Sequence, residues 1–369
     1  MSVRVQLGSL VQLSTESAKD PAAVGLTRSV GLDHIDSDDL RLRRWSDIGN
    51  GADFTRVFRS GDVLFGKRRS YQRKVALADF NGVCSGDILV VRSTDIRLDG
   101  LYLAYLLASP LFIGHAISSS AGSLSPRIRP RDLERFEFDL PSLDEQHRVV
   151  EVMRAVDREI GASEQIVSQA KIAIRLVPIV GKRVPISQLV ELRKEKISPV
   201  RLDGDAKLRS HSLPAYDEGN GFVDEIASKV KSDKWLVEEG DILYSKMNPQ
   251  FPRVWEVGSI PSGMTAVAST EYVVLKPKIA AWRGALVALL HTDVFKAEVL
   301  RLTAGSTKSR SRAHIDEISD IEVQWPSNDS DINDVAWLGG ELRSVEVNAA
   351  RCYDAARALR TSLLQELIG

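Results

Sequence analysis

At 369 residues the chain has room for two domains of ordinary size, and 43% hydrophobic with 27% charged residues excludes a disordered or fibrous polypeptide. The formal net charge of -1 gives no global basicity, so only local clusters of Lys and Arg could attract nucleic-acid phosphate. The two cysteines, Cys84 and Cys352, lie far apart and in no metal-ligand spacing, which excludes a disulfide framework and points to a reducing cytoplasm.

From the start of the chain, Met1-Ser2-Val3-Arg4-Val5-Gln6 lacks the apolar stretch of a signal peptide, and no later run approaches bilayer-spanning length. A soluble cytoplasmic protein is expected. Gly61-Asp62 before Val63-Leu64-Phe65 reads as a turn feeding a buried strand, and Asp87 to Val91 reads as a second strand. Leu101 to Phe112 predicts one helix. Arg131 to Leu140 alternates into a strand from Leu133 onward and is stopped by Pro141. Beyond Ser142 the period changes. Val149, Met153, Val156, Ile160, Ser163, Val167, Ala170, Ile174 and Val177 alternate between spacings of four and three, as a coiled-coil seam does.

The chain then repeats itself. Val184 to Leu192 restates Val5 to Leu13, and Gly240-Asp241-Ile242-Leu243-Tyr244-Ser245-Lys246 restates Gly61 to Lys67, both at an offset of 179. Phe295 and Ala304-Gly305-Ser306 answer Phe112 and Ala121-Gly122-Ser123 at 183, and Pro326-Ser327 answers Pro141-Ser142 at 185. Tyr272 to Leu275 predicts a strand and Trp282 to Phe295 a helix, again in order. A second seam follows through Val335, Leu338, Leu342, Val345, Ala349, Cys352, Ala356, Leu359 and Leu363. The small residues Ala349, Cys352 and Ala356 predict a close approach of two helices, and the two seams are read as packed on each other.

No motif in the sequence is complete enough for catalysis. Asn248-Pro249-Gln250-Phe251 looks like the base-holding motif of amino-methyltransferases, but its second proline is missing and no Gly-x-Gly turn offers a cofactor site. No phosphate-binding Gly-Lys-Ser/Thr loop occurs, the six histidines lie apart, and Ser118-Ser119-Ser120 lacks a nucleophile context. The sequence therefore predicts no catalytic site, no metal and no cofactor in this chain.

Basic clusters are the remaining chemical signal. Lys67, Arg68, Arg69, Tyr71, Gln72, Arg73 and Lys74 form one run without an acid. Ser123, Ser125, Arg127 and Arg129 form another. The second copy supplies Lys246, Asn248, Gln250 and Arg253, then Ser306, Thr307, Lys308, Arg310 and Arg312. Most charge runs are solvated loops. Recurrence at matching positions, with hydroxyls between the cations, favours DNA contact, and Asn and Gln are natural partners for adenine.

On Gly61 to Lys74, Cys84-Ser85-Gly86-Asp87-Ile88-Leu89-Val90, Ala121 to Arg127 and Leu140-Pro141-Ser142-Leu143-Asp144-Glu145-Gln146, with Gly240 to Pro249 and Thr303 to Ser306, the chain resembles the specificity subunits of type I restriction–modification enzymes. The resemblance covers nearly its whole length. It implies a mixed α/β (α+β) protein with two pseudo-repeated target-recognition domains separated by two long antiparallel coiled-coil helices. The boundaries expected are 1–142 and 183–327 for the domains, and 143–182 and 328–369 for the spacer helices. It further implies a split double-stranded DNA target and docking of two modification (methyltransferase) subunits. S-adenosylmethionine would sit in those subunits, and ATP and Mg in a restriction/translocase subunit. One departure stands out: after Pro326-Ser327 the Leu-Asp-Glu-Gln entry is missing, so the second helix is expected to begin later. A protein–protein adaptor built on the helical pair, or a stand-alone DNA methyltransferase, are the competing classes. The first gives no reason for paired basic loops, and the second lacks its motifs.

Overall fold

The computed structural model describes residues 3–49, 54–219, 221–304, 312–313 and 318–368. The chain divides into two compact units, Met1–Ala162 with Cys352–Gly369, and Ser163–Arg351.

In the first unit the buried run Val63–Gly66 is an inner strand of an antiparallel sheet ordered Val11–Leu13, Ile88–Ser93, Val63–Gly66, Val75–Leu77. Successive side chains of a strand face opposite ways. Val63 and Phe65 accordingly enter a core shared with helices α1 (Gly100–Ala108) and α2 (Pro110–Ser118), while Leu64 enters another with Val30 and Phe58. Those last two belong to a second sheet, ordered Ser46–Asp47, Arg28–Val30, Gly82–Cys84, Arg56–Phe58. Cover on both faces explains why the run is apolar throughout instead of alternating.

The second unit repeats the plan. Its sheet runs Val190–Arg193, Tyr272–Pro277, Ile242–Ser245, Val254–Glu256, beside a five-stranded sheet that includes Lys207–His211 and Met264–Ser269. Ile242 and Tyr244 face one core and Leu243 the other. Even the ring packing recurs, with Phe65 edge-on to Phe112 at 5.3 Å and Tyr244 edge-on to Phe295 at 5.4 Å.

Each Gly-Asp turn does the work its sequence suggests. Gly61 and Gly240 have φ of 92° and 88°, conformations that favour glycine. Asp62 and Asp241, both about 2% exposed or less, accept the backbone N–H of Arg59 and Glu238 at 2.8 Å. The arginine that neutralises each carboxylate comes from a different strand in the two copies. Arg92 binds Asp62 at 2.6 and 2.7 Å, whereas Arg193 lies 3.0 Å from Asp241.

Five expectations need correction. Each predicted helix between the strand and the basic loop is two helices. In the first unit α1 and α2 are bent by 59° at Ser109, whose hydroxyl accepts the Phe112 N–H. After α3 (Pro130–Glu134), α4 (Leu143–Arg175) and α5 (Leu213–Asp217), the second unit breaks α6 (Arg283–His291) from α7 (Asp293–Arg301) at Thr292, which caps Phe295 likewise. A capping hydroxyl that also bonds the preceding turn ends one helix as it starts the next. Residues 130–134 are the helix α3, so only Glu137–Leu140 of the expected strand is extended.

The long second helix, α8 (Asp329–Leu367), does not start late. At α4 Ser142 and Glu145 form a reciprocal capping box, and at α8 the Asn328 side chain accepts the Asp331 N–H at 2.9 Å instead. A different residue satisfies the same orphan donors. At the other end α4 stops at Arg175 and does not continue to 182, because Pro178 disfavours helix at the residue before it.

The last correction concerns the seam of the antiparallel pair α4 and α8. Every seam position of α4 is buried or half-buried. On α8 the exposed Val345, Cys352 and Leu359 leave it, and Glu346, Tyr353 and Arg360 take their places. In the first unit Val156 and Ile160 pack on Ala356, Tyr353 and Leu363. In the second, Lys171 reaches Glu346 at 3.8 Å, and α8 lies so close to α6 that a Cβ at Gly339 would stand 2.6 Å from that of Ala288.

Among the described residues no single helix is long and apolar enough to cross a membrane. The bent pair α1 and α2 has the composition, but its apolar side chains fill the first core.

Candidate nucleic-acid interface

The basic loop of the first copy leaves the buried strand at Gly66 and is fixed within two residues. The Lys67 N–H donates to Asp87 O at 3.0 Å, its carbonyl accepts from Ile128, and the Arg69 N–H donates to Pro126 O at 2.8 Å. Arg127 exchanges two 3.0 Å backbone bonds with Ala121. The fold thus ties together the two clusters, 67–74 and 121–131, that lie some fifty residues apart in sequence. Asp87 sits between them. It faces Arg68 at 3.7 Å and accepts from Arg127 Nε at 3.2 Å, while Arg68 Nη2 donates to Ser125 Oγ at 3.0 Å.

The cations of this loop are not equivalent. Arg73 donates to Asp38 at 2.5 Å and to Ala108 O at 3.2 Å, and Lys74 Nζ donates to Leu32 O, so both are committed to the fold. Lys67, Arg69, Gln72 and Ser125 are half-buried; Tyr71, Ser123, Arg127 and Arg129 are exposed. Arg129 holds Asp132 at 2.6 Å, and that hydrogen bond keeps the Asp132 carboxyl below its usual range.

The second copy builds its loop the same way. The Lys246 N–H donates to Glu271 O at 2.8 Å, and Asn248 occupies the left-handed region at φ 52° as Arg69 does at φ 55°. The next turn closes through Phe251 N–H to Asn248 O at 2.8 Å, matching Gln72 N–H to Arg69 O at 2.8 Å. Arg253 is held by Asp217 at 2.6 and 2.8 Å and lowers that carboxyl's pKa. Lys246 and Gln250 are half-buried and engaged within the fold. Ser306, Thr307, Lys308 and Arg310 lie outside the described residues, and Arg312 is described only as backbone, paired with Ala304.

Two features of these loops escaped the sequence reading. The organising acids Asp87 and Glu271 each follow a serine whose hydroxyl accepts their N–H, Ser85 and Ser269, both at 3.2 Å. That repeat is visible at an offset of 184. Exposed Phe251 was passed over because it aligns with Gln72 and not with Tyr71. Among the described residues no three His, Cys, Asp or Glu side chains converge as metal ligands.

Two like α+β domains, each with a tethered basic loop and joined by a pair of long antiparallel helices, define the class. Residues 42–171 match the type I restriction modification DNA specificity domain. Over 120 residues the chain is 28% identical to the type I restriction enzyme EcoDI specificity subunit of Escherichia coli, a stretch covering 32% of this chain and 26% of that relative. The chain therefore aligns with about a quarter of that protein's length. Its fold is that of the S subunit of a type I restriction–modification system from M. genitalium, with TM-score 0.61 at 13% identity, 100% of this chain and 96% of that one. A structure reported for complex assembly and conformational transition of the type I R-M system gives 0.57 at 18%, covering 100% and 97%. Residues 42–171 are thus similar to that specificity domain, and the chain shares the fold of the type I S subunit compared.

Proposed function

We propose that this chain is the non-catalytic, DNA-reading specificity subunit of a cytoplasmic type I restriction–modification complex. Each copy reads one half of a split duplex target, and α4 and α8 dock two modification subunits. S-adenosylmethionine belongs to those subunits, and ATP with Mg to a restriction subunit. The observation that carries this reading is the repetition of a cation-bearing loop, anchored by the same backbone bonds, in both copies. An adaptor would need the helices but not the loops.

The test begins with co-expression beside the neighbouring modification gene and methylation mapping of the genome. The helical seam covers 25 residues on α4, from Val149 to Ile174, and 28 on α8, from Val335 to Leu363. At about 1.5 Å per residue the longer is roughly 42 Å, or on the order of 12 base pairs at about 3.4 Å each. Two short half-sites with centres about one helical turn apart, roughly 10 base pairs, are expected. A continuous target, or methyl transfer by the purified chain alone, overturns the proposal.

The loops are tested separately by salt titration of duplex binding. Each lost phosphate contact lowers the slope of log affinity against log salt by about 0.9. The triple variant Lys67→Ala, Arg68→Ala, Arg69→Ala is expected to bind more weakly and to lose between about 0.9 and 2.7 from that slope. An unchanged slope would assign these cations to solvent.

A further inference from the structure

One large aromatic side chain stands at the tip of each basic loop. Tyr71 is 54% exposed and Phe251 71%. Scattered exposed apolar residues are ordinary and need no explanation. These two differ because each stands on the same anchored turn, Tyr71 at its third residue and Phe251 at its fourth. A residue other than glycine is strained in the left-handed region and persists there only where its surroundings hold it. Arg69 and Asn248 are held there by the anchored lysine before them and the 2.8 Å turn bond after them. Each tip pairs its aromatic with a glutamine, in opposite order: Tyr71-Gln72 in the first copy and Gln250-Phe251 in the second. Among the described residues neither ring packs on another ring or on a guanidinium. The only other large apolar side chain exposed on the first copy's basic loops is Leu124, on the tethered loop, and its counterpart Thr307 lies outside the described residues.

Resting on the DNA-reading function above, we propose that Tyr71 and Phe251 are wedges, each inserting at one base step of its half-site and unstacking it. An aromatic face reads no hydrogen-bonding edge, so its contribution is mechanical. Cations on the same loop, Lys67, Arg68 and Arg69 beside Tyr71, bring the phosphates close enough for the ring to enter. Unstacking costs least at flexible pyrimidine–purine steps, so the wedge selects sequence through deformability. It also leaves the neighbouring base easier to extrude for a partner that modifies it.

The experiment uses the full chain and duplexes of the mapped target carrying 2-aminopurine at each position in turn. At saturating protein, fluorescence is expected to rise several-fold at one position in each half-site. Tyr71→Ala should abolish the rise in one half-site only and Phe251→Ala in the other, while Tyr71→Phe and Phe251→Tyr retain both. Saturated binding without any rise, or a rise that survives both alanine variants, overturns the wedge and leaves the DNA-reading proposal standing. A chain that binds no duplex DNA overturns that proposal, and the wedge with it.

Discussion

Replacing Asp157 with Ala is expected to destabilise the first unit by about 3–5 kcal/mol, because it strands a buried guanidinium without its carboxylate. Arg360 of α8 is 5% exposed in its side chain, and its Nε donates to Asp157 Oδ1 of α4 at 2.7 Å. The other carboxylate oxygen accepts from the Tyr105 hydroxyl at 2.8 Å, which joins α1 to the same network. Burial, then the Asp157 charge, pushes the Tyr105 hydroxyl pKa upward, so it stays a donor. The flanking seam contributes Val156, Ile160 and the small Ala356, whose packing alone discriminates poorly between neighbouring registers. The ion pair therefore fixes register more than it adds net stability. The double replacement Asp157→Leu with Arg360→Met should recover most of the loss, since apolar substitutes for a buried pair are often neutral or better. Denaturant unfolding of the full chain and both variants checks this. A loss below about 1 kcal/mol for Asp157→Ala would mean the pair is screened like a surface bridge.

Mild acid is expected to weaken the second unit. Burial lowers the pKa of His211 and of His291 to about 4 from 6.5. His211 sits among the rings of Phe222 and Trp255, and His291 Nδ1 donates to Val287 O at 2.8 Å. A base whose folded pKa is depressed binds its proton more readily when unfolded. Its stabilisation is complete above the unfolded value and is lost as pH falls from about 6.5 towards 4. From about pH 7.5 to 5 each histidine should cost about 2 kcal/mol, or about 4 for the pair. The carboxylates with lowered pKa values in this unit, Asp217, Asp224 and Glu238, have theirs held down chiefly by arginine hydrogen bonds, and their loss comes at lower pH. Five of the six tryptophans lie in residues 163–351, so intrinsic fluorescence follows this unit. The unfolding midpoint should fall across that pH range, and about half the fall should vanish in His211→Phe. A midpoint constant from pH 7.5 to 5 would contradict the assignment of these two groups.

Much of this protein was legible in its residues. The repeat was plain because two copies of one fold require the same turns, Gly61-Asp62 and Gly240-Asp241, before the same doubly buried strands. The change of period after Pro141-Ser142 marked where the first long helix starts, since a local cap and an apolar stripe are properties of neighbouring residues, whereas the start of the second was expected too late. The seam of α4 could be read off from Val149 to Ile174, and overran the helix only at Val177.

What escaped depended on partners remote in the chain. Leu359 has the right character for a seam and Arg360 the wrong one, yet Arg360 is inside because Asp157, 203 residues earlier, receives it. Ser109 and Thr292 break a helix that composition would continue, because their hydroxyls bond the turns on both sides. Of the cations in one basic run, Arg73 and Lys74 bond Asp38 and the carbonyl of Leu32, while the equally half-buried Lys67 and Arg69 make no such side-chain bond among the described residues. Periodicity reports how a segment can bury apolar surface, whereas the burial of a charge is decided by where its counter-charge arrives, and that only the tertiary structure determines.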